Sequence, residues 1–579
     1  VSETSVSPES PRWIIGERDR AAEDLLCREL GVPRVVAALL AQRGFADPAE
    51  AQRFLYPKLD DLHPPHLLPD YTAASTAILG AIERKEQIYV HGDYDVDGVS
   101  SAAMFHRFLS KRGAKIHTHV PHRMSEGYGI HLDAVEGAIR LGAKLFLTCD
   151  CGIAAHEQVA RAKEAGLKVV ITDHHEIKER IPDADAVVNP HRADSQYPYA
   201  DLCGAGVAFK LCQGLAHQMG LPVDGFRNAY LDLATLGTIA DVMPLTGENR
   251  IIAKHGLQRL RETKKPGLQA LMRHAQVGQD PSKPLLAYHV GWHLGPRLNA
   301  VGRLEAAETA LQLLIEDDPQ KCDGLAHRLE QVNQTRRSQT ADILRQAEET
   351  VLEQGYDKRN VIVVASADWH PGIVGIVAGR LVQRFRRPCF VLCIDVNAGT
   401  CKGSARSIPN FHLAEAIWAF PELLSGGGHA MAAGCHFPCE RIDEVRDALD
   451  GYASLRLTEE DFRPTVMIDM ELSSEEATMA DAEALASMEP FGVGNPEPNF
   501  IARSVDLCQI RPTSNPKHVR LVLKQGRANP VPGIAFSLGE SLAEIGAGAT
   551  VDLVFRPEIN EFRGNRELQW TVSGFRQPT

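Results

Sequence analysis

Between residues 87 and 245 short apolar runs alternate with amphipathic stretches, a pattern that points to a parallel sheet covered by helices. The runs lie in QIYVHGDYDVDG, AKLFLTCDCG, LKVVITDHHE and ADAVVNPHR, with SSAAMFHRFLSKRGA and AHEQVARAKEAG as helices between them. Open sheets of this kind bind ligands at the carboxyl ends of their strands. The first three runs all end in Asp or His.

In HGDYDVDG, residues 91–98, His91, Asp93, Asp95 and Asp97 recur at every second position. An extended chain turns such residues to one side, where three carboxylates repel one another unless a cation lies between them. Asp150 follows the second run, Asp173, His174 and His175 the third, and Asp241 closes a later apolar segment, TLGTIADVMPL. Hard divalent cations take carboxylate oxygens, and imidazole among them favours Mn2+, with Mg2+ the alternative. Asp95, Asp97, Asp150 and Asp241 together carry four negative charges, which two divalent ions neutralise. Any one Asp at a strand end reads as a helix cap or turn former, and a His pair as solvated. Ligand-type groups at four separate sheet ends are not explained that way. Asp93 and Asp173 are read as supports that orient ligand histidines or accept from backbone amides.

A chain of 579 residues, 44% hydrophobic, has room for about three or four domains. No long uncharged apolar run occurs and the N-terminal segment is polar, so a cytoplasmic protein with no membrane association is expected. The 12 cysteines show no paired CxxC spacing and read as reduced thiols. A net charge of -13 argues against wholesale polyanion binding, so any nucleic-acid surface must be local. Residues 501–579 reverse the balance, with ten Lys and Arg against seven Asp and Glu.

The expected architecture is α/β and multidomain, without internal repeats. Residues 1–80 read as a helical and loop region packing on the core, and 81–265 as the parallel-sheet catalytic domain. Residues 266–355 read as a linker with long connecting helices, where Pro319 is the main breaker. A second α/β block follows over 356–460, and alternating segments such as KHVRLVLK and TVDLVFRP make 461–579 a small all-β domain.

HGDYDVDG, TCDCG, TDHH and GTIADVMPL, in this order, resemble the successive motifs of the DHH phosphoesterase superfamily. The resemblance implies one metal on His91, Asp95 and Asp150, and a second on Asp97, Asp150, His174 and Asp241, with Asp150 bridging. His175 would sit beside the substrate phosphate, so the catalytic set is Asp97, Asp150, His174 and His175. PHRMSEGYG, LCGAGVAFKL, GPRLNAVGRL, WHPGIVGIVAGRL and PFGVGNPEPNF are similar to the single-strand-specific DNA exonucleases of that superfamily, over nearly the whole chain. On this resemblance the second block is a DHHA1 domain, marked by GGGHAMAAG, and the terminal region an OB-fold β-barrel. No further domain is expected after it.

The implied activity is two-metal phosphodiester hydrolysis, releasing 5'-mononucleotides from single-stranded DNA in the 5' to 3' direction, in recombination and repair. For the substrate, GPRLNAVGRL offers Arg297, Asn299 and Arg303 in a glycine-interrupted loop, and KGSARS offers Ser404 and Arg406 in a flexible loop. GGGHAMAAG, with His429, would open a helix whose first amides bind an anion, and Arg123 is a further phosphate candidate. On the barrel the candidates are Lys517, His518, Arg520 and Trp570, the last equally readable as core. The resemblance also implies single-stranded-DNA-binding protein and a RecQ-type helicase as partners of a monomeric enzyme. Two alternatives stand beside it: a DHH phosphodiesterase for very short oligonucleotides or cyclic dinucleotides, and a non-catalytic single-strand-binding scaffold.

Overall fold

After β1 (Arg12–Ile15), which pairs near the far end of the chain, the first sheet is built from β2 (Gln87–His91), β3 (Lys115–His119), β4 (Ala143–Thr148), β5 (Lys168–Thr172) and β6 (Ala186–Val188). All five run parallel, in the order β3-β2-β4-β5-β6. The structure, a computed structural model, describes residues 11–123, 126–127, 129–178, 180–562 and 564–578. Ile88, Val90, Leu145, Leu147 and Val170 enter one core, while Tyr89, Phe146, Val169 and Ile171 enter another on the opposite face. Burial on both faces explains why these runs are almost continuously apolar. β3, KIHTH, is the edge strand and keeps a polar alternation, so no apolar run marked it.

The glycine-interrupted stretch at 295–304 is a helix, Gly295–Leu304, and not the loop expected. Its glycines serve close packing: a Cβ on Gly302 would lie 2.8 Å from the Tyr94 carbonyl oxygen. Pro319 starts a helix where it was read as a break. Pro319–Glu353, 35 residues, is capped by Asp318, which accepts from the Gln320 and Lys321 amides. At 1.5 Å per residue it spans roughly 50 Å.

The second block holds β7 (Ile362–Ser366), β8 (Cys389–Asp395), β9 (Thr400–Arg406), β10 (Ser425–Gly428) and β11 (Ala432–Pro438) in the order β10-β11-β9-β8-β7. Two expectations are corrected here. KGSARS is part of the internal strand β9 rather than a flexible loop, and GGGHAMAAG makes the β10–β11 hairpin rather than a helix start. Gly426 and Gly428 have φ of 154° and 149°, and Cβ atoms there would lie 2.1 and 2.5 Å from the Gly434 and Ala432 carbonyl oxygens. The glycines are required by strand contact, not by an anion.

Beyond β12 (Thr465–Ile468), a barrel forms from β13 (Met470–Glu471), β14 (Phe500–Pro512), β15 (Val519–Gln525), β16 (Val531–Ala535), β17 (Thr550–Phe562) and β18 (Asn565–Arg576), closed by β14–β17 pairing. Trp570 is a core residue, 1% exposed and stacked 3.8 Å from Phe555, because it lies on the inner face of β18. It therefore offers no surface to a base.

Residues 1–80 do not act as one unit. β1 pairs in parallel with β12, and Leu26, Val36, Leu39 and Phe54 share one core with Met470, Phe500 and Phe555 of the barrel. Helix Tyr71–Glu83 instead packs on the first sheet. Buried Arg250 ties the parts together: its guanidinium lies 3.7 Å from the Phe54 ring and donates to the carbonyls of Phe54, Met488 and Glu489.

Candidate metal centre and phosphate cleft

The carboxyl ends of β2, β4 and β5 converge on the amino ends of two helices, Val96–Ser110 and Gly204–Gln218. Asp95 is the N-cap of the first, its Oδ1 accepting from the Asp97 and Gly98 amides at 2.9 and 3.1 Å. Oδ1 caps the helix, which leaves Oδ2 for a ligand role. Asp97 accepts at both oxygens from the second helix, at 2.6 Å from the Gly204 amide and 2.8 Å from the Ala205 amide. A helix amino terminus carries partial positive charge, which fixes this carboxylate.

Among the described residues, three groups bring ligand atoms within 4.8 Å of one another: Asp93, Asp95 and Asp150; Asp97, His174 and Asp241; and Asp150, His174 and His175. Asp150 is shared by two of them. Its Oδ1 accepts no hydrogen bond and lies 3.1 Å from His174 Nε2. His91 Nδ1 and Asp93 Oδ1 are also buried without a hydrogen-bond partner. Hard oxygen donors, neutral imidazole and orphaned buried atoms together fit divalent cations. Asp93, read from the sequence as a support, lies at ligand distance. His91 stands between Phe146 and His119.

Electrostatics agree. Burial first, and then the neighbouring carboxylates, push the Asp93, Asp95 and Asp150 pKa values up, and that of Asp241 up to about 8. Burial, with His119 beside it, holds His91 down at about 4, and burial lowers His174, so both imidazoles are neutral as ligands must be. Asp173 behaves as expected of a support: its Oδ1 accepts from His175 Nδ1 at 2.8 Å, and its Oδ2 from the Ile153 amide at 2.9 Å. Burial opposes the charge on His175, but Asp173 and the other acids raise its pKa to about 9. In the metal-free chain His175 therefore keeps its proton at neutral pH.

Acids with raised pKa values bind more protons in the folded chain than in the unfolded chain. Between about pH 4 and pH 8 these acids therefore take stability from the metal-free protein as pH rises, opposed by the lowered His91 and His174 only up to about pH 6.5. Chelator-treated protein should melt lower at pH 8 than at pH 5, and Mn2+ should raise the melting temperature more at pH 8. Equal Mn2+ shifts at the two pH values would refute the electrostatic account.

A cluster of cations faces this acidic centre. Arg123, 5.0 Å from the Tyr94 ring, comes from the first domain, Arg303 and Arg336 from the connecting helices, and Arg406 from β9. Burial and the mutual repulsion of Arg123, Arg336 and Arg406 bring the Arg303 pKa down to about 10, and burial and Arg123 lower that of Arg406. Among the described residues none of these four arginines forms an ion pair with a carboxylate. Ser404 lies beside Arg406: a Cβ on Gly375, in helix Val374–Phe385, would sit 3.2 Å from Ser404 Oγ and 3.4 Å from Arg406 Nη2.

Other expected substrate residues lie differently. Arg297 is buried, bonded to Glu330 Oε2 at 2.5 Å and to the His293 carbonyl, so its guanidinium already has partners. Asn299 accepts from the Val96 amide at 3.1 Å and so holds the loop that carries Asp95. His429 is exposed in the β10–β11 turn. On the barrel Lys517 and Arg520 are exposed, Arg520 directly across from Arg511, and His518 meets the half-exposed Phe536 ring edge-on at 5.3 Å. Tyr94, Arg336, Arg511 and Phe536 had escaped notice because no local spacing marks them. Gly204 and Gly237 lie in stretches that the resemblance covers, and a Cβ on Gly237 would lie 2.3 Å from Asp97 Oδ1.

A parallel sheet whose strand ends gather carboxylates and imidazoles, with a cluster of arginines facing them, defines a metal-dependent phosphoesterase of the DHH class. Family profiles agree: the DHH family N-terminal domain matches residues 87–238, the DHHA1 domain 358–455 and the RecJ OB domain 468–574. The chain is similar to the single-stranded-DNA-specific exonuclease RecJ of Bacillus subtilis, 38% identical over 97% of this chain and 70% of that one. It is also similar to that of Escherichia coli, 33% identical over 93% of this chain and 95% of the relative. The crystal structure of RecJ in complex with Mn2+ from Thermus thermophilus superposes with a TM-score of 0.83 at 29% identity, over 98% of this chain and 80% of that one. A Mg2+ complex of the Thermus protein matches at 0.77. The chain belongs to the RecJ family of single-stranded-DNA-specific exonucleases.

Proposed function

We propose that this chain hydrolyses single-stranded DNA from its 5' end, releasing mononucleotides, with Mn2+ preferred over Mg2+. The observation that carries the reading is the opposition of a carboxylate cluster to arginines that, among the described residues, have no acidic partner. The first needs cations and the second an anion, and a phosphodiester between bound metals supplies what both lack. His91, Asp93, Asp95 and Asp150 would hold one ion, and Asp97, Asp150, His174 and Asp241 the other. When bound, the two ions lower the pKa of an attacking water and stabilise charge on the phosphoryl oxygens.

The chain's own groups do the rest. Asp173 keeps His175 protonated, and His175 donates to a non-bridging oxygen. Arg123 and Arg303 take phosphate oxygens with their forked guanidinium groups. Ser404, Arg406 and the first amides of helix Val374–Phe385 receive the terminal phosphate, which sets the polarity. Arg297, through Glu330, and Asn299, through the Val96 amide, support the cleft. Lys517, Arg520 and Arg511 hold the strand's backbone farther along, as barrels of this kind do. Single-stranded-DNA-binding protein and a RecQ-type helicase are the partners this reading carries, for a monomeric cytoplasmic enzyme of recombination and repair. Among the described residues no helix is long and apolar enough to cross a membrane.

The test is degradation of a long DNA strand labelled at either end, beside a blunt duplex and a trinucleotide, with Mn2+ present. The expected result is immediate release of the 5' label as mononucleotide, gradual shortening of the 3'-labelled strand and an intact duplex. Cleavage of the trinucleotide alone would transfer the chain to the short-oligonucleotide phosphodiesterases.

A further inference from the structure

A groove of about 940 Å3 opens beside Asp241. One wall is formed by Val242, Tyr288 and Trp292, the other by Pro490, Phe491 and Val493 of the PFGVGNPEPNF stretch. Val242, Tyr288 and Trp292 are 64%, 55% and 68% exposed, an unusual grouping of apolar surface next to a candidate metal ligand. Tyr288 and Trp292 are four positions apart, with ring centroids 6.4 Å from one another. Tyr288 lies in the helical turn Ala287–His289, and Trp292 in the single π turn that continues it, Val290–Leu294, an irregularity common at functional sites. The turn rests on the helix that carries Asp241 at its end: a Cβ on Gly291 would meet Ile239 at 4.0 Å, and one on Gly295 would meet Ala240 at 3.6 Å. His293 meets the Tyr288 ring edge-on at 5.4 Å, and Arg337 lies near enough to His293 to lower its pKa after burial has done so.

We propose that Tyr288 and Trp292 form a base-stacking platform that carries the DNA strand between the barrel side and the metal centre. The inference rests on the exonuclease reading and deepens it. Continuity with the proposed metal centre commits the groove to the substrate strand: Ile239, Ala240 and Val242, which flank Asp241 in the chain, line it together with the exposed rings. A nucleobase has two apolar faces and suits such rings whatever its sequence, at about tenfold in affinity per stacked base.

The experiment compares an ordinary DNA strand with strands carrying a run of three abasic sites stepped away from the 5' end, measuring KM for release of the first nucleotide with Mn2+. In the wild-type chain one position of the run should raise KM tenfold or more. Tyr288→Ala with Trp292→Ala should raise KM for the ordinary strand similarly and abolish the difference between strands, and Tyr288→Phe with Trp292→Phe should restore it. Melting curves of both double variants verify folding. A wild-type KM indifferent to every abasic position, or a difference that survives in the double-alanine variant, overturns the platform and leaves the groove to another occupant. A wild-type chain that degrades neither strand overturns the exonuclease reading itself.

Discussion

Asp150→Asn is expected to abolish nuclease activity in a folded protein whose metal-free form melts higher than the wild type. Asp150 belongs to two of the three ligand groups, so its loss weakens both proposed ions. Metal stabilisation of a phosphoryl transition state is worth several kcal/mol, and the rate should fall by roughly a thousandfold or more. The stability change has the opposite sign because the buried carboxylate is crowded by Asp93, Asp95, Asp97 and Asp241, and a neutral amide relieves that repulsion. Asparagine is the informative substitution: Asp150 has φ of 63°, a conformation that Asn adopts readily and alanine does not. Activity is read on labelled single-stranded DNA and stability by melting after chelation. A fall in both would mean that Asp150 serves the fold more than the metals.

Gly204→Ala is the second expected large effect, and it touches no charge. A Cβ on Gly204 would lie 2.5 Å from Asp150 Cβ and 2.7 Å from its Oδ1, so the methyl group can be admitted only if Asp150 moves. The Gly204 amide also binds Asp97, and both carboxylates would shift together. Overpacking of this kind costs about 1–3 kcal/mol of stability, while loss of ligand placement costs roughly 10–100-fold in metal affinity or activity. Mn2+ titration followed by melting temperature separates the two. A variant with wild-type Mn2+ affinity and activity would show that the helix amino terminus does not set the position of Asp150.

How far the sequence could be read depended on whether a signal was local. The runs ending in Asp and His revealed the first sheet and most of its ligand-type residues, because strand period and two-sided burial act within a few residues. The glycine-rich stretches misled for the same reason. Gly302, Gly426 and Gly428 are there because another segment's backbone approaches closely, and a single chain segment carries no record of that approach. Arg297 and Asn299 were read as substrate residues in a loop, whereas the helix turns them to Glu330 and to the Val96 amide.

By itself the sequence determined the parallel-sheet domain, the acidic and imidazole groups at its strand ends, the connecting helices and an all-β terminal domain. Each of these rests on residue type and period over short distances. Asp241, expected at a sheet end, ends the helix Val223–Ala240 instead. Only the tertiary structure decided that residues 12–55 share a core with the barrel, and that Asp93 stands at ligand distance. It also gathered Arg123, Arg303, Arg336 and Arg406 from three parts of the chain into one cleft. Such placements arise from packing between segments hundreds of residues apart, where no spacing along the chain foretells which side chains will meet.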